Sequence, residues 1–232
     1  MFWTFVDASQ ISDGTIRIEG KQGHHLARVL RVRPGERGVA ICGGREIELE
    51  VAEVQGERVL GRVLGERLAR GEATTAVTLL QAVLPNPDFD AVIEGGTAVG
   101  IRTFIAVQAA RSIGHPPAGR QARWQAIAQS AAEQSHRGEI PEVTGPMGLS
   151  SAVDRAAGTR LLALEPAAST PLLHALDGSP AYTIAVGPEG GWTEDELATL
   201  RARGAVTVNL GPRILRARLA PVVAAAILVQ QR

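Results

Sequence analysis

One cysteine, Cys42, and one lysine, Lys21, are all that the 232 residues contain of either type. A lone cysteine excludes an intrachain disulfide and a multi-thiolate zinc site built from this chain alone, and Cys42 reads as a small core residue. Adjacent His24 and His25 send their side chains apart, so no shared metal is expected. Net charge is also missing: 24 basic residues balance 24 acidic ones, which excludes a uniformly basic nucleic-acid-binding surface. No apolar run approaches the roughly 20 residues that span a bilayer, and the start, Met1 to Gln10, has neither a basic nor an apolar leader region. A soluble, cytoplasmic chain with no membrane partner is expected. The phosphate-loop pattern G-x-x-x-x-G-K-[ST] and the dinucleotide fingerprint G-x-G-x-x-G are absent, and no internal repeat or low-complexity tract is visible.

The positive charge is carried almost wholly by arginine, and it is clustered. Arg17, Lys21, Arg28, Arg31, Arg33 and Arg37 face only Glu19 and Glu36 over that stretch, and Arg201, Arg203, Arg213, Arg216, Arg218 and Arg232 follow Glu196 with no carboxylate among them. Each segment reads either as a phosphate-tracking surface or as an ordinary solvated face.

The hydrophobic pattern changes near residue 70. Before it, short strand-like runs such as 38–42, 46–54 and 58–64 suggest a small barrel, with Ile47, Leu49 and Val51 alternating against Glu46, Glu48 and Glu50. "HHLARVLR" places Leu26, Val29 and Leu30 on one helical face, ended by the turn Arg33-Pro34-Gly35-Glu36. Residues 65–75 are polar and read as a linker. Beyond residue 76, strand candidates at 76–84, 103–108, 160–165, 182–186 and 206–210 alternate with helices, which favours an open parallel sheet covered on both faces. Trp124, Ile127, Ala128, Ala131 and Ser135 share one helical face, with Trp124 expected in the core. Residues 88–100 form the weakest helix candidate, because Gly95 and Gly96 each cost about 1 kcal/mol relative to alanine.

Gly187-Pro188-Glu189-Gly190-Gly191-Trp192 lies between a strand and a helix whose start is marked by the capping-box spacing of Thr193 and Glu196, and Gly204 is the expected residue just past its end. Glu194, Asp195 and Glu196 would repel a phosphate at that helix start. The stretch therefore reads either as a tight turn or as a loop whose backbone approaches a flat, non-anionic ligand. A second loop, Leu210-Gly211-Pro212-Arg213, follows the next strand and leads to an apolar helix with Pro221 in its first turn. Both loops would sit at the carboxyl edge of a parallel sheet, where ligands bind.

"VGPEGGWTEDEL" followed by "LGPRILR", together with "HHLARVLRVRPGE", "ARSIG" and "AAEQSHRGEIPEV", resembles the ribosomal RNA small subunit methyltransferase E family of the SPOUT class. The resemblance implies a PUA-like RNA-binding β-barrel over residues 1–70 and an α/β methyltransferase domain over 74–232 closed by a trefoil knot. It implies a homodimer, S-adenosylmethionine as methyl donor, and N3 of a uridine in 16S rRNA of the small ribosomal subunit as acceptor. Leu164, Gly187, Pro188, Glu189, Gly190, Gly191, Leu210, Gly211, Ile214 and Leu215 would surround the donor; Arg111, Gln134, Arg137 and Arg216 would face the RNA or the target base; His25, Arg28 and Arg31 would contact RNA from the N-terminal part. This chain departs from the family at Pro85, where lysine is usual, at Ala98, where glutamate is usual, and at Ala217, Arg218 and Leu219, where Thr-Glu-Thr is usual. Those departures leave a second expectation open, a non-catalytic or retargeted RNA-binding relative.

Overall fold

The computed structural model describes residues 1–113 and 119–231, so Gly114 of the "ARSIG" motif and Arg232 lie outside the described residues. The chain divides into two compact units, Met1–Glu72 with Ala132–Glu139, and Ala73–Ala131 with Ile140–Arg232. Among the described residues, no helix is long and apolar enough to cross a membrane.

The first unit contains strands β1 (Phe2–Phe5), β2 (Ile11–Ser12) and β3 (Thr15–Ile18), helix α1 (Gly20–His24), and strands β4 (Arg37–Cys42), β5 (Arg45–Gln55) and β6 (Arg58–Leu68). They form one sheet in the order β1-β4-β5-β6-β3-β2. Only β1 and β4 pair in parallel. Gly43 and Gly44, with φ of 55° and 73°, form the two-residue turn that joins β4 to β5. The expected alternation along β5 is present: Ile47, Leu49 and Val51 enter a core with Phe2, Ile16, Ile18, Leu26 and Val59. Glu46 breaks it. This carboxylate is buried, and it accepts bonds from Arg67 Nε and the Arg70 amide. Among the described residues the ladder ends at β1 and at the two-residue β2 without joining them, so the sheet is open where a small barrel was expected.

Two other expectations for this unit change. Residues 25–30 wind as a π-helix, in which each amide reaches five residues back, so the three-and-four spacing no longer selects one face. Leu26 is buried, but Val29 is 60% exposed and Leu30 49%. The expected linker is partly structure, since β6 runs to Leu68 and Glu72 is held inside the unit.

The second unit carries an all-parallel sheet. Its elements are β7 (Ala76–Ala82), α2 (Asp88–Val99), β8 (Thr103–Val107), α3 (Arg120–Gln134), β9 (Glu142–Met147), α4 (Leu149–Arg155), β10 (Arg160–Leu164), β11 (Ala181–Val186), α5 (Glu194–Ala202), β12 (Val206–Val208) and α6 (Ala220–Leu228); the last three residues of α3 belong to the first unit. The strand order is β12-β10-β11-β7-β8-β9. Both faces are covered: Val77, Leu79, Phe104, Leu162 and Ile184 enter one core, while Leu80, Ile105, Leu161, Ala163 and Ala185 enter the other. That two-sided burial is why these strands read as continuous apolar runs. Trp124 sits in the first core with its ring 4.4 Å from that of Phe89. Strand β9 and helix α4 have no counterpart in the sequence reading, since Gly145-Pro146 interrupts the β9 pattern; proline is tolerated there because β9 is an edge strand.

Packing imposes the weak helix. A methyl on Gly96 would stand 2.8 Å from both Ile101 Cδ1 and the Phe104 ring, whereas one on Gly95 would meet only the end of Val222 on α6, at 3.2 Å. Gly96→Ala is expected to cost about 1–3 kcal/mol through overpacking, while Gly95→Ala should be near neutral because about 1 kcal/mol of helix propensity offsets a small shift of Val222. Urea unfolding midpoints of the two variants check the contrast.

Candidate methyl-donor cavity and RNA surface

In the second unit, neighbouring strands β12, β10 and β11 present their carboxyl ends on one edge of the sheet. Between the loops that leave them lies a cavity of about 130 Å³. Nine of the expected donor-site residues line it: Leu164, Gly187, Pro188, Glu189, Gly191, Leu210, Gly211, Ile214 and Leu215. Gly190 stands outside it, with its α-carbon side turned to Arg111.

Sequence chemistry explains the loop after β11. The Gly191 amide donates to the Pro188 carbonyl at 2.8 Å, and Gly191 has a φ of 69°, a conformation that side chains with a β-carbon rarely adopt. At Gly187 a β-carbon would stand 3.1 Å from the Trp192 nitrogen. Helix α5 begins as expected: Thr193 accepts from the Glu196 amide, and Glu196 Oε2 accepts from the Thr193 amide at 2.8 Å. Gly204 follows the α5 C-cap residue with a φ of 82°.

Glu196 also works outside its own helix. Its Oε1 accepts from the Ala110 amide at 2.8 Å, and Arg111 next door donates to the carbonyls of Gly190 at 2.8 Å and Trp192 at 3.2 Å. The segment after β8 is thus tied to the second half of GPEGGW and to the first turn of α5. Arg111, expected at the RNA or target base, has its guanidinium on this loop. Arg216 is exposed, one residue beyond the cavity-lining Leu215. Ile214 is 83% exposed at the cavity rim.

Several lining residues escaped the sequence reading: Glu165, Pro166, Asn209, Arg213, Ala217 and Ala220. Asn209 had a legible signal, because asparagine two residues before a glycine favours a side-chain-closed turn. Its Oδ1 accepts from the Gly211 amide at 2.9 Å and its Nδ2 donates to the Ala168 carbonyl at 2.7 Å, so one side chain joins the loops after β10 and β12.

Gln134 and Arg137 belong to the first unit. Gln134 is exposed at the end of α3, but Arg137, expected to face the RNA, is only 2% exposed. Its Nε and Nη2 donate to the two Glu72 oxygens at 3.1 and 2.6 Å, and Glu72 Oε1 also accepts from the Gly138 and Glu139 amides. A bidentate pair this deeply buried is an internal clamp.

On the same unit His25, Arg28 and Arg31 are all exposed, together with Val29, Leu30 and Arg33. Glu57 accepts from His24 at 3.0 Å, and this hydrogen bond, followed by the charge of His24, holds the Glu57 carboxyl below its ordinary value. Arg28 lies 3.9 Å from that carboxylate, whereas Arg31 has no ion pair among the described residues. Cys42 is half-buried against the same core.

A family model described as an RNA methyltransferase domain matches residues 71–229. Ribosomal RNA small subunit methyltransferase E of Mycobacterium tuberculosis is 34% identical over 230 residues, covering 95% of this chain and 88% of the relative. The protein of the same name from Synechocystis is 34% identical over 229 residues, covering 95% and 75%. A crystal structure of ribosomal RNA small subunit methyltransferase E from Neisseria gonorrhoeae bound to S-adenosyl methionine superposes with a TM-score of 0.88 at 30% identity, over 97% of this chain and 96% of that one.

The double duty of Glu196 generates a stability test. Thr193→Ala should cost about 1 kcal/mol, the usual loss for an N-cap hydroxyl. Glu196→Ala should cost more, because it also leaves the Ala110 amide without its acceptor. Guanidinium unfolding measures the difference, and faster hydrogen exchange at Ala110 in Glu196→Ala alone locates it.

Proposed function

Because the chain belongs to the ribosomal RNA small subunit methyltransferase E family, we propose that it is an S-adenosylmethionine-dependent enzyme that methylates N3 of a uridine in 16S rRNA. The observation that carries this reading is the cavity where the three loops after β10, β11 and β12 meet. Its lining fits the donor. Glu165 and Glu189 bring carboxylates suited to a cationic sulfonium ligand and unsuited to a phosphate. Trp192, also in the lining, is buried with an indole N–H that has no partner in the described structure, a donor free for a ligand acceptor. Leu164, Gly187, Pro188, Glu189, Gly191, Leu210, Gly211, Ile214 and Leu215 would hold the group, largely through backbone atoms, with Gly190 carrying the Arg111 clamp.

When bound, S-adenosylmethionine supplies an electrophilic methyl group. The chain must do the rest. Uracil N3 carries a proton in the neutral base, so that proton must leave to solvent as negative charge spreads to O2 and O4. Arg216, exposed beside the cavity, is the proposed donor to that charge, while Arg111 positions the glycine loop. Alignment alone supplies about 7–11 kcal/mol in well-oriented reactions, which gives a rigid donor loop its value. The target base is taken out of its stack for the reaction.

In this reading residues 1–70 form a PUA-like, partly opened barrel that binds RNA through His25, Arg28 and Arg31, and residues 74–232 form the methyltransferase domain. A knot in the C-terminal segment is supported by the path of the chain, which leaves the edge strand β12 and returns as α6 against α2, β11 and β7. A cytoplasmic homodimer completes the proposal, and exposed Ile214 and Leu219 on either side of Arg216 are apolar surface suited to a subunit contact.

A non-catalytic or retargeted relative is favoured by one specific observation. Arg218, where the family usually has glutamate, pairs with Asp88 at 3.0 Å, close to Pro85, where the family usually has lysine. The positive charge usual at 85 is missing here, and a positive charge stands at 218 in place of the usual negative one.

The decisive experiment is nucleoside analysis of small-subunit RNA after reaction with purified protein and donor: N3-methyluridine is expected, and its absence with intact donor binding would establish the second reading. Gly191→Val should abolish donor binding measured by calorimetry, because valine strains a backbone with φ of 69°. Arg28→Glu combined with Arg31→Glu should weaken RNA binding and reduce the slope of log K against log salt by about 2, roughly 0.9 per phosphate contact.

A further inference from the structure

We propose that the His136 ring, stacked on the indole of Trp3, forms a platform for one unpaired nucleobase of the RNA. The inference rests on the RNA-methyltransferase reading above and adds a contact made by shape and π-surface where the arginines supply charge.

All the groups involved lie in the first unit. Along β1 the buried residues are Phe2 and Thr4, so Trp3 projects from the other side of the strand, partly exposed. Its ring centroid is 4.6 Å from that of His136, and the two planes are 13° apart. His136 itself is exposed, and neither ring belongs to the unit's apolar core.

The geometry is held from beneath. Trp3 Nε1 donates to the Arg137 carbonyl at 3.1 Å, and Arg137 is the residue locked by Glu72. The Arg137 amide bonds the Ala132 carbonyl at 2.9 Å, closing the turn that follows α3. Within that turn His136 has a φ of 58°, a left-handed conformation that few non-glycine residues adopt, histidine more readily than most. A surface imidazole kept in such a backbone state, and parallel to an indole fixed at its own N–H, is pre-organised.

A flat, exposed, pre-oriented ring offers one kind of recognition. Nucleobases stack on it with little regard to sequence, because every base has a π-face. Unpaired bases of single-stranded loops and bulges are splayed out and stack on such rings, and those bases are the ligands this surface would take. Gln134, exposed two residues earlier, adds an amide able to bond a base edge.

The test compares wild type, His136→Ala and His136→Phe for binding to a short single-stranded RNA oligonucleotide over a range of salt. His136→Ala is expected to weaken binding roughly 5- to 150-fold, the usual loss of one base–aromatic stack, with the salt slope unchanged because no phosphate contact is removed. His136→Phe should restore it. Intrinsic fluorescence gives a second measure that needs no folded variant at position 136: Trp124 and Trp192 are 1% and 4% exposed, so RNA should quench mainly Trp3, and Trp3→Phe should remove the quench. Unchanged affinity in His136→Ala, or absence of Trp3 quenching on RNA that binds, overturns the platform. So does a loss of dimer mass in His136→Ala by sedimentation, which makes the pair a subunit contact. A wild-type protein that binds no RNA at all sinks the underlying functional reading instead.

Discussion

An all-parallel sheet has one edge at which every strand ends, and the candidate donor site depends on that constraint. Because β12, β10 and β11, the last three strands of the chain, are neighbours in the sheet, the three successive loops that leave them meet at one place. Loops gathered there carry backbone amides and carbonyls that the sheet cannot satisfy, so they must bond one another, solvent or a ligand. Here they bond one another through a few side chains: Asn209 joins the loops after β10 and β12, while Glu196 and Arg111 join the loop after β11 to the segment after β8. What remains between them is the cavity. Its shape follows from the sheet, and its rigidity follows from these cross-links.

Local chemistry made part of this legible. The capping box at Thr193, the glycine at 204, the glycine turn and the continuous apolar strands are decided within a few residues, so the sequence carries them openly. The features that escaped reading are decided by partners far away in the chain. Glu46 looks like the outward member of an alternating strand, yet Arg67 and the Arg70 amide bring its carboxylate inside. Arg137 looks like an RNA contact, yet Glu72, 65 residues earlier, accepts from its Nε and Nη2. The "HHLARVLR" face failed for another reason: π winding changed the period on which the reading rested.

Arginine therefore does three different jobs here that composition cannot distinguish. Arg137 is an internal clamp, Arg111 braces backbone carbonyls of the glycine loop, and Arg28, Arg31 and Arg216 remain exposed. Of these five, the last three are the ones proposed to offer charge to a phosphate or a developing oxyanion. A chain with no net charge can still offer a basic footprint on these terms, because many exposed arginines, among them Arg37, Arg58, Arg62, Arg123 and Arg155, face a carboxylate and leave unbalanced charge to the positions that do not.

The departures around Arg218 illustrate how such a site can drift without losing its frame. The bond between Arg218 and Asp88 links the segment leading into α6 with the start of α2, two elements that already pack on each other. An ion pair at that location needs opposite signs on the two segments, and either segment can carry either sign. With arginine at 218 the link is made by a positive charge on the segment between the cavity and α6. In the proposed function the donor is held largely by backbone atoms of the loops, which a change of side chain at 218 leaves in place. Recognition of a polyanion, or stabilisation of charge on a target base, is sensitive to it. The frame of the cavity and the charge on the segment beside it are therefore separable properties of this chain, and Arg218, which lies outside the cavity lining, belongs to the second.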